Sequence, residues 1–103
     1  LEARDADALL GVGALLELSV TEGEIKSMRT ADTALRRGVG QALLDRIIGI
    51  ARERGYRRVL LETGTGETFG PANRLYLRNG FTRCAPFGEY AETDFNIFYE
   101  LAL

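Results

Sequence analysis

The tightest constraint on this chain lies between Arg36 and Gly64, where a Gly-x-Gly loop feeds a helical apolar series and a short, wholly apolar run follows. Val39, Leu43, Ile47, Ile50 and Ala51, joined by Leu44 and Ile48, recur at three and four residues, which lays an apolar stripe along one helix face. Gly55 stands where a left-handed C-terminal cap belongs, so the spacing predicts a helix from Val39 to that glycine. Val59-Leu60-Leu61, bracketed by Gly55 and Gly64, predicts a central strand over residues 57–63 that is covered on both faces. Ile25 and Ser27 alternate with Lys26 and Met28, which predicts a strand over residues 24–30 ahead of the loop. Strand, helix, strand in that order implies a right-handed crossover.

The flanking segments complete the pattern. Residues 9–18 read as a strand, bulged at a glycine, between a polar turn at residues 4–7 and a second turn at 21–23. Gly64-Thr65-Gly66 reads as a turn, and Pro71 opens a short helix through Leu75 and Tyr76 that stops at Asn79-Gly80. Residues 81–87 and 96–103 read as strands separated by the polar stretch 88–94. The expected fold is α/β (α+β): a mixed, mostly antiparallel central sheet with flanking helices, in one domain over residues 1–103.

Composition narrows the chemistry. Thirteen Lys and Arg face fifteen Asp and Glu, a formal charge of −2, so no global field holds nucleic acid or an anionic membrane, and neither is expected as a partner. No apolar run approaches the roughly 18 residues of a membrane span. Histidine is absent and Cys84 is the sole cysteine, which excludes Ser-His-Asp and Cys-His catalysis within the chain and leaves no zinc ligand set; no metal is expected. A lone cysteine fits a reducing compartment, and a cytoplasmic location is expected. The chain begins with Leu1, which reads as a missing or processed N-terminus.

What remains is carboxylate, tyrosine, hydroxyl and backbone chemistry around the Gly-x-Gly loop. A helix start presents unpaired N–H groups and the positive end of its dipole, and Gly38 and Gly40 let that backbone approach phosphate oxygens. Arg36 and Arg37 add positive charge, so a diphosphate is well served. The alternative is that both glycines only shape a connection. A dinucleotide loop needs a third glycine where Leu43 stands, although Glu62, about 20 residues on, keeps an NAD-binding reading open. No Gly-Lys-Ser/Thr follows, so nucleotide hydrolysis has no support.

The runs GEIKSMRT, RRGVGQALLDRIIGIARERGYRRVLLET and ANRLYLRNGF, in that order, resemble the core of the GNAT superfamily of N-acetyltransferases over nearly the whole chain. LETG after the central strand and Cys84-Ala85-Pro86-Phe87-Gly88 near the end are similar to bacterial small-molecule acetyltransferases of that fold. The resemblance implies acetyl-CoA as cosubstrate and a primary amine of a small molecule or peptide as acceptor, with a homodimer as a further expectation. It implies that the backbone of Met28, Arg29 and Thr30 pairs with the pantetheine arm, and that Arg36, Arg37, Gly38, Val39, Gly40 and Gln41 wrap the pyrophosphate, with Asn73 as a further cofactor contact. Two positions depart from the family: Leu35 replaces a usual Gln or Arg, and Phe69 replaces an Asn found in many members. The family's first strand and two helices have no counterpart here.

An acceptor amine with a pKa near 10 is protonated at neutral pH, and freeing its lone pair costs about 4 kcal/mol, so a base is needed. By resemblance Glu24 supplies it through a water, with Glu62 as the competing carboxylate, and Tyr76 is the acid that protonates the departing thiolate. A backbone N–H, from Met28, stabilises the oxyanion. Each has a structural alternative: Glu24 as a surface carboxylate, Tyr76 as a core tyrosine under Phe81. Cys84 is a further candidate for taking the acetyl group covalently, and Phe87, Tyr90, Phe95, Phe98 and Tyr99 for lining an acceptor pocket. A CoA-binding regulatory module without turnover is the alternative function.

Overall fold

The structure is a computed structural model that describes residues 2–5, 8–30 and 38–103. A six-stranded sheet is built from β1 (Glu2–Asp5), β2 (Ala8–Glu17), β3 (Glu22–Thr30), β4 (Arg58–Gly64), β5 (Thr82–Arg83) and β6 (Asn96–Ala102), in the order β1-β2-β3-β4-β6-β5. Every neighbouring pair is antiparallel except β3 and β4, which run parallel and are joined through helix α1 (Val39–Glu53). A 3₁₀ turn at Glu67–Phe69 leads into helix α2 (Gly70–Arg78) between β4 and β5. The mixed, mostly antiparallel sheet is the architecture the sequence implied.

Helix α1 forms where the apolar spacing placed it. Val39, Leu43, Leu44, Ile47, Ile48 and Ala51 are all buried, and the chain leaves the helix through Gly55 at φ 80°, the left-handed conformation that favours glycine. Ile25, Leu44, Ile47, Ile48, Ala51, Tyr56, Val59, Leu61, Tyr76, Phe81 and Tyr99 make one continuous core, so both helices pack on the same face of the sheet. Each fully buried Leu or Ile there contributes about 1.5 to 3 kcal/mol. On β4, Leu60 is buried as well as its neighbours, but it points to the other face with Glu24 and Phe98. That face is covered by the segment 84–95, whose Phe87 and Tyr90 pack on Phe98 at centroid distances of 5.7 and 5.9 Å.

The sheet is interrupted at its centre. β3 and β4 pair from Glu22↔Arg58 to Ile25↔Leu61 and no further, although β3 continues to Thr30 beside β2 and β4 continues to Gly64 beside β6. The cause lies two residues on. Between Ala14↔Lys26 and Val12↔Arg29, Gly13 alone faces both Ser27 and Met28, so β3 carries an extra residue there. A bulge of this kind bends the strand that bears it and sharpens its twist. At the closed end Arg58 bridges Glu22 on β3 and Glu100 on β6 and ties three strands across the face away from the helices.

Three expectations need correction. The polar turn placed at residues 4–7 is in part strand, because Glu2–Asp5 pairs antiparallel with β2; backbone pairing along an edge does not require apolar side chains. The strand placed over residues 81–87 shrinks to Thr82–Arg83, with one further hydrogen bond from Cys84 N to Phe98 O at 2.9 Å. Pro86, lacking an N–H, cannot extend the ladder. Gly64, assigned to a turn, closes β4 opposite Asn96, with the Phe69 ring packed against its Cα.

Candidate active site

The open end of the sheet gathers several of the residues that the sequence singled out. Because β3 runs into α1 and β4 runs into α2, the C-terminal ends of the two parallel strands and the N-termini of both helices lie at that end. The backbone of Met28, Arg29 and Thr30 is part of β3 beyond the point where its pairing with β4 stops. Arg36 and Arg37 lie outside the described residues. Gly38 is the N-cap of α1 at φ 74°, ψ 12°, a conformation that glycine adopts without strain, and it offers no side-chain cap. Its carbonyl accepts from Ala42 N at 3.0 Å, and the first turn, starting Val39-Gly40-Gln41, holds no acidic residue. Among the described residues no side chain caps this helix start, whose backbone N–H groups and dipole are of the kind that suits an anion.

Gln41 contributes differently from its neighbours. Its side-chain amide donates to Asp45 Oδ1 and to Asn79 Oδ1, both at 2.8 Å, and accepts from Asn79 Nδ2 at 2.8 Å. The group is committed to a clasp between α1 and the end of α2.

On α2, Asn73 Nδ2 donates to Gly64 O at 3.0 Å and fixes the helix start against the end of β4. Its Oδ1 is buried without a hydrogen-bond partner among the described residues. A buried acceptor left unmade costs about 1 to 3 kcal/mol, so such an atom marks a place where a donor belongs. One turn on, Tyr76 is 4% exposed and lies against Phe81 and Tyr99 at 5.6 and 6.1 Å. Burial pushes its phenol up to about 12, so it holds its proton throughout the neutral range. The ring is thus a core component, with its hydroxyl unpartnered among the described residues.

Across the sheet, Glu24 is 5% exposed on the face away from both helices. Its Oε2 accepts a hydrogen bond of 2.5 Å from the Tyr90 hydroxyl, and the Lys26 ammonium lies 5.8 Å from the centroid of the same ring. Burial first, then the Glu24 bond, hold the Tyr90 phenol above its usual range. Contact with Tyr90 and the charge of Glu24 raise Lys26. Glu62 is exposed on the same face of the neighbouring strand, where Asn96 Nδ2 donates to its Oε2 at 3.1 Å. The two carboxylates therefore flank the opening between β3 and β4.

The five aromatics proposed for an acceptor pocket divide. Phe87, Tyr90 and Phe98 form one cluster beside Glu24, Tyr99 belongs to the core on the opposite face, and Phe95 is 81% exposed. Cys84 is half-buried, and burial followed by the Glu100 charge raises its thiol, which keeps thiolate scarce. What sequence reading missed is the Tyr90–Glu24 pair. The partners lie 66 residues apart, and the one local signal was a lone aromatic in a polar stretch.

The model of the acetyltransferase (GNAT) family matches residues 1–81. Among curated proteins, the chain is 48% identical over 96 residues to YsnE of Bacillus subtilis, an uncharacterized N-acetyltransferase, covering 93% of this chain and 64% of that protein. It is 42% identical over 99 residues to YedL of Escherichia coli, also an uncharacterized N-acetyltransferase, covering 96% and 62%. The chain thus spans a little under two thirds of the length of these relatives. Among solved structures, a Klebsiella pneumoniae protein assigned in name only to the acyl-CoA N-acyltransferases superposes with a TM-score of 0.90 at 27% identity, covering 99% of this chain and 70% of that one. A GNAT family acetyltransferase of Elizabethkingia anophelis with acetyl-CoA bound shares the fold, with a TM-score of 0.80 at 22% identity over 99% and 74% of the two chains. The chain belongs to the acetyltransferase (GNAT) family.

Proposed function

We propose that this chain is the catalytic part of an N-acetyltransferase that moves the acetyl group of acetyl-CoA to a primary amine of a small molecule or peptide by direct attack. The observation that carries the reading is the opening of the sheet after Ile25↔Leu61, with the uncapped start of α1 at the same end and the Glu24 carboxylate beside the gap. The donor set fits the cosubstrate. Bare N–H groups at Val39, Gly40 and Gln41 suit its phosphates, the free edge of β3 at Met28, Arg29 and Thr30 suits its amide-bearing arm, and Asn73 Oδ1 needs a donor such as that arm carries. Acetyl-CoA supplies an acetyl group activated as a thioester.

The chain's own residues supply positioning and proton transfer. Glu24, through a water, takes the proton that the amine loses as the C–N bond forms; Glu62 is the carboxylate to test beside it. Tyr76, protonated throughout the neutral range, gives its proton to sulfur as the C–S bond breaks. The Met28 N–H is the donor assigned to the carbonyl oxygen. Holding the two reactants in one opening supplies much of the rate independently of either carboxylate.

Thiol release from acetyl-CoA, measured against amino acids, polyamines, aminoglycosides and peptide N-termini, tests the reading. Release dependent on one acceptor class is expected. Binding of CoA without release at any acceptor supports a non-catalytic CoA-binding module instead, a reading that the enclosed Tyr76 ring favours. Binding of NAD in preference to CoA would sink both.

A further inference from the structure

The segment 84–95 does more than cover the sheet. It places Tyr90 over the opening so that its hydroxyl donates to one oxygen of Glu24, while Phe87, edge-to-face at 5.3 Å, and Phe98, tilted at 5.9 Å, hold the Tyr90 ring. The same segment is fixed from its other end by Asn96, whose side chain accepts from Thr93 N at 2.9 Å and donates to Ala91 O at 3.0 Å and to Glu62. Both carboxylates that flank the opening therefore carry a hydrogen bond tied to this segment. Lys26, two residues beyond Glu24 on the same strand face, supplies the opposite charge next to the phenol.

We infer that Tyr90 is a positioning residue for Glu24: it pins Oε2 and so aims Oε1 at the acceptor's proton. The inference rests on the acetyltransferase reading above and extends it to a residue outside the strands and helices of the fold. A carboxylate on a strand has free rotation about its terminal torsion, and a base acts only within hydrogen-bond reach of the proton it takes. One short bond from a ring that is itself wedged between two others fixes that torsion at small entropic cost. Oε1 has no hydrogen-bond partner among the described residues, which leaves it for the amine or a bridging water.

A double-mutant cycle on the whole chain tests this. Tyr90→Phe keeps the ring and its packing and removes only the hydroxyl. Expected is a fall in kcat of about tenfold, the rate equivalent of one charge-assisted hydrogen bond, with the KM for acetyl-CoA unchanged. Placed in Glu24→Gln, the same substitution should cost nothing further, because the group it positions is gone. A purely structural tyrosine would cost the same in both backgrounds, and that outcome overturns the inference, as does an unchanged kcat in Tyr90→Phe. Ultraviolet titration of tyrosinate gives a readout without turnover: the step that Tyr90→Phe removes should move to lower pH in Glu24→Gln. A titration that ignores Glu24→Gln overturns the pairing. Wild-type protein that releases no thiol with any acceptor overturns the acetyltransferase reading and the positioning role together, whereas an active wild type with an indifferent Tyr90 overturns the latter alone.

Discussion

Single residues decide how this site handles charge and protons. Gly38 sits at φ 74° as the N-cap of α1, with open space where a Cβ would project. Asn and Asp tolerate that backbone region about equally, so Gly38→Asn and Gly38→Asp differ chiefly in charge. CoA affinity measured by calorimetry should survive in the first and fall at least tenfold in the second; equal affinities would remove the helix start from the binding site. Tyr76 carries a second prediction. Its folded value of about 12 lies above an unfolded value near 10, so the native state holds the proton longer and this contribution is complete below pH 10 and lost as pH rises towards 12. By pH 11 the native state should have lost about 1 kcal/mol relative to pH 9 on this account, and Tyr76→Phe should lack that part of the decline in urea unfolding. If Tyr76 also protonates the leaving sulfur, the same variant lowers turnover without weakening CoA binding.

At the scale of elements, contacts between helices and strands hold the open end in shape. The Gln41–Asn79 clasp joins the first turn of α1 to the cap of α2, and Asn79 also donates to Leu75 O at 2.8 Å. Asn79→Ala removes several neutral hydrogen bonds from a half-buried place and should cost about 1 to 2 kcal/mol in thermal unfolding. CoA affinity should stay within about twofold, since Asn79 itself lies outside the proposed binding set. Gly64 marks the other joint. A Cβ there would lie 2.3 Å from the Phe69 ring, so Gly64→Ala must displace either the end of β4 or the 3₁₀ turn. Overpacking of this kind costs about 1 to 3 kcal/mol, and a Phe69→Ala background should recover most of it. A Gly64→Ala variant as stable as wild type would show that the turn moves freely.

The whole molecule couples these parts through a sheet that is complete at one end and open at the other. The core under α1 and α2 is continuous across β3, β4 and β6, so the opening costs backbone pairing but little apolar burial. A ligand that fills the gap and meets the N–H groups of α1 binds the native state alone. At about 100 times its dissociation constant it should add about 2.7 kcal/mol, which raises Tm by on the order of 10 °C for a domain of this size. Thermal scans with acetyl-CoA measure this, and a flat response would contradict the proposed site.

How much of this was legible in advance follows from range. Local chemistry set the elements: the three-and-four apolar spacing and Gly55 fixed α1, the run Val59-Leu60-Leu61 fixed a strand buried on both faces, and Pro71 with Gly80 framed α2. The Gly-x-Gly loop also placed a helix start, with Gly38 as its N-cap, because capping belongs to one stretch of chain. Register and distant pairing were set elsewhere. The bulge at Ser27–Met28 that parts β3 from β4, the clasp between Gln41 and Asn79, and the bond from Tyr90 to Glu24 each depend on how strands shift and helices meet across 14 to 66 residues. Sequence alone thus determined which segments would bury their apolar faces and where a helix would start on a glycine without a side-chain cap. Only tertiary packing decided where the sheet would open and which tyrosine would reach the carboxylate, since those outcomes turn on geometry between elements that no local pattern encodes.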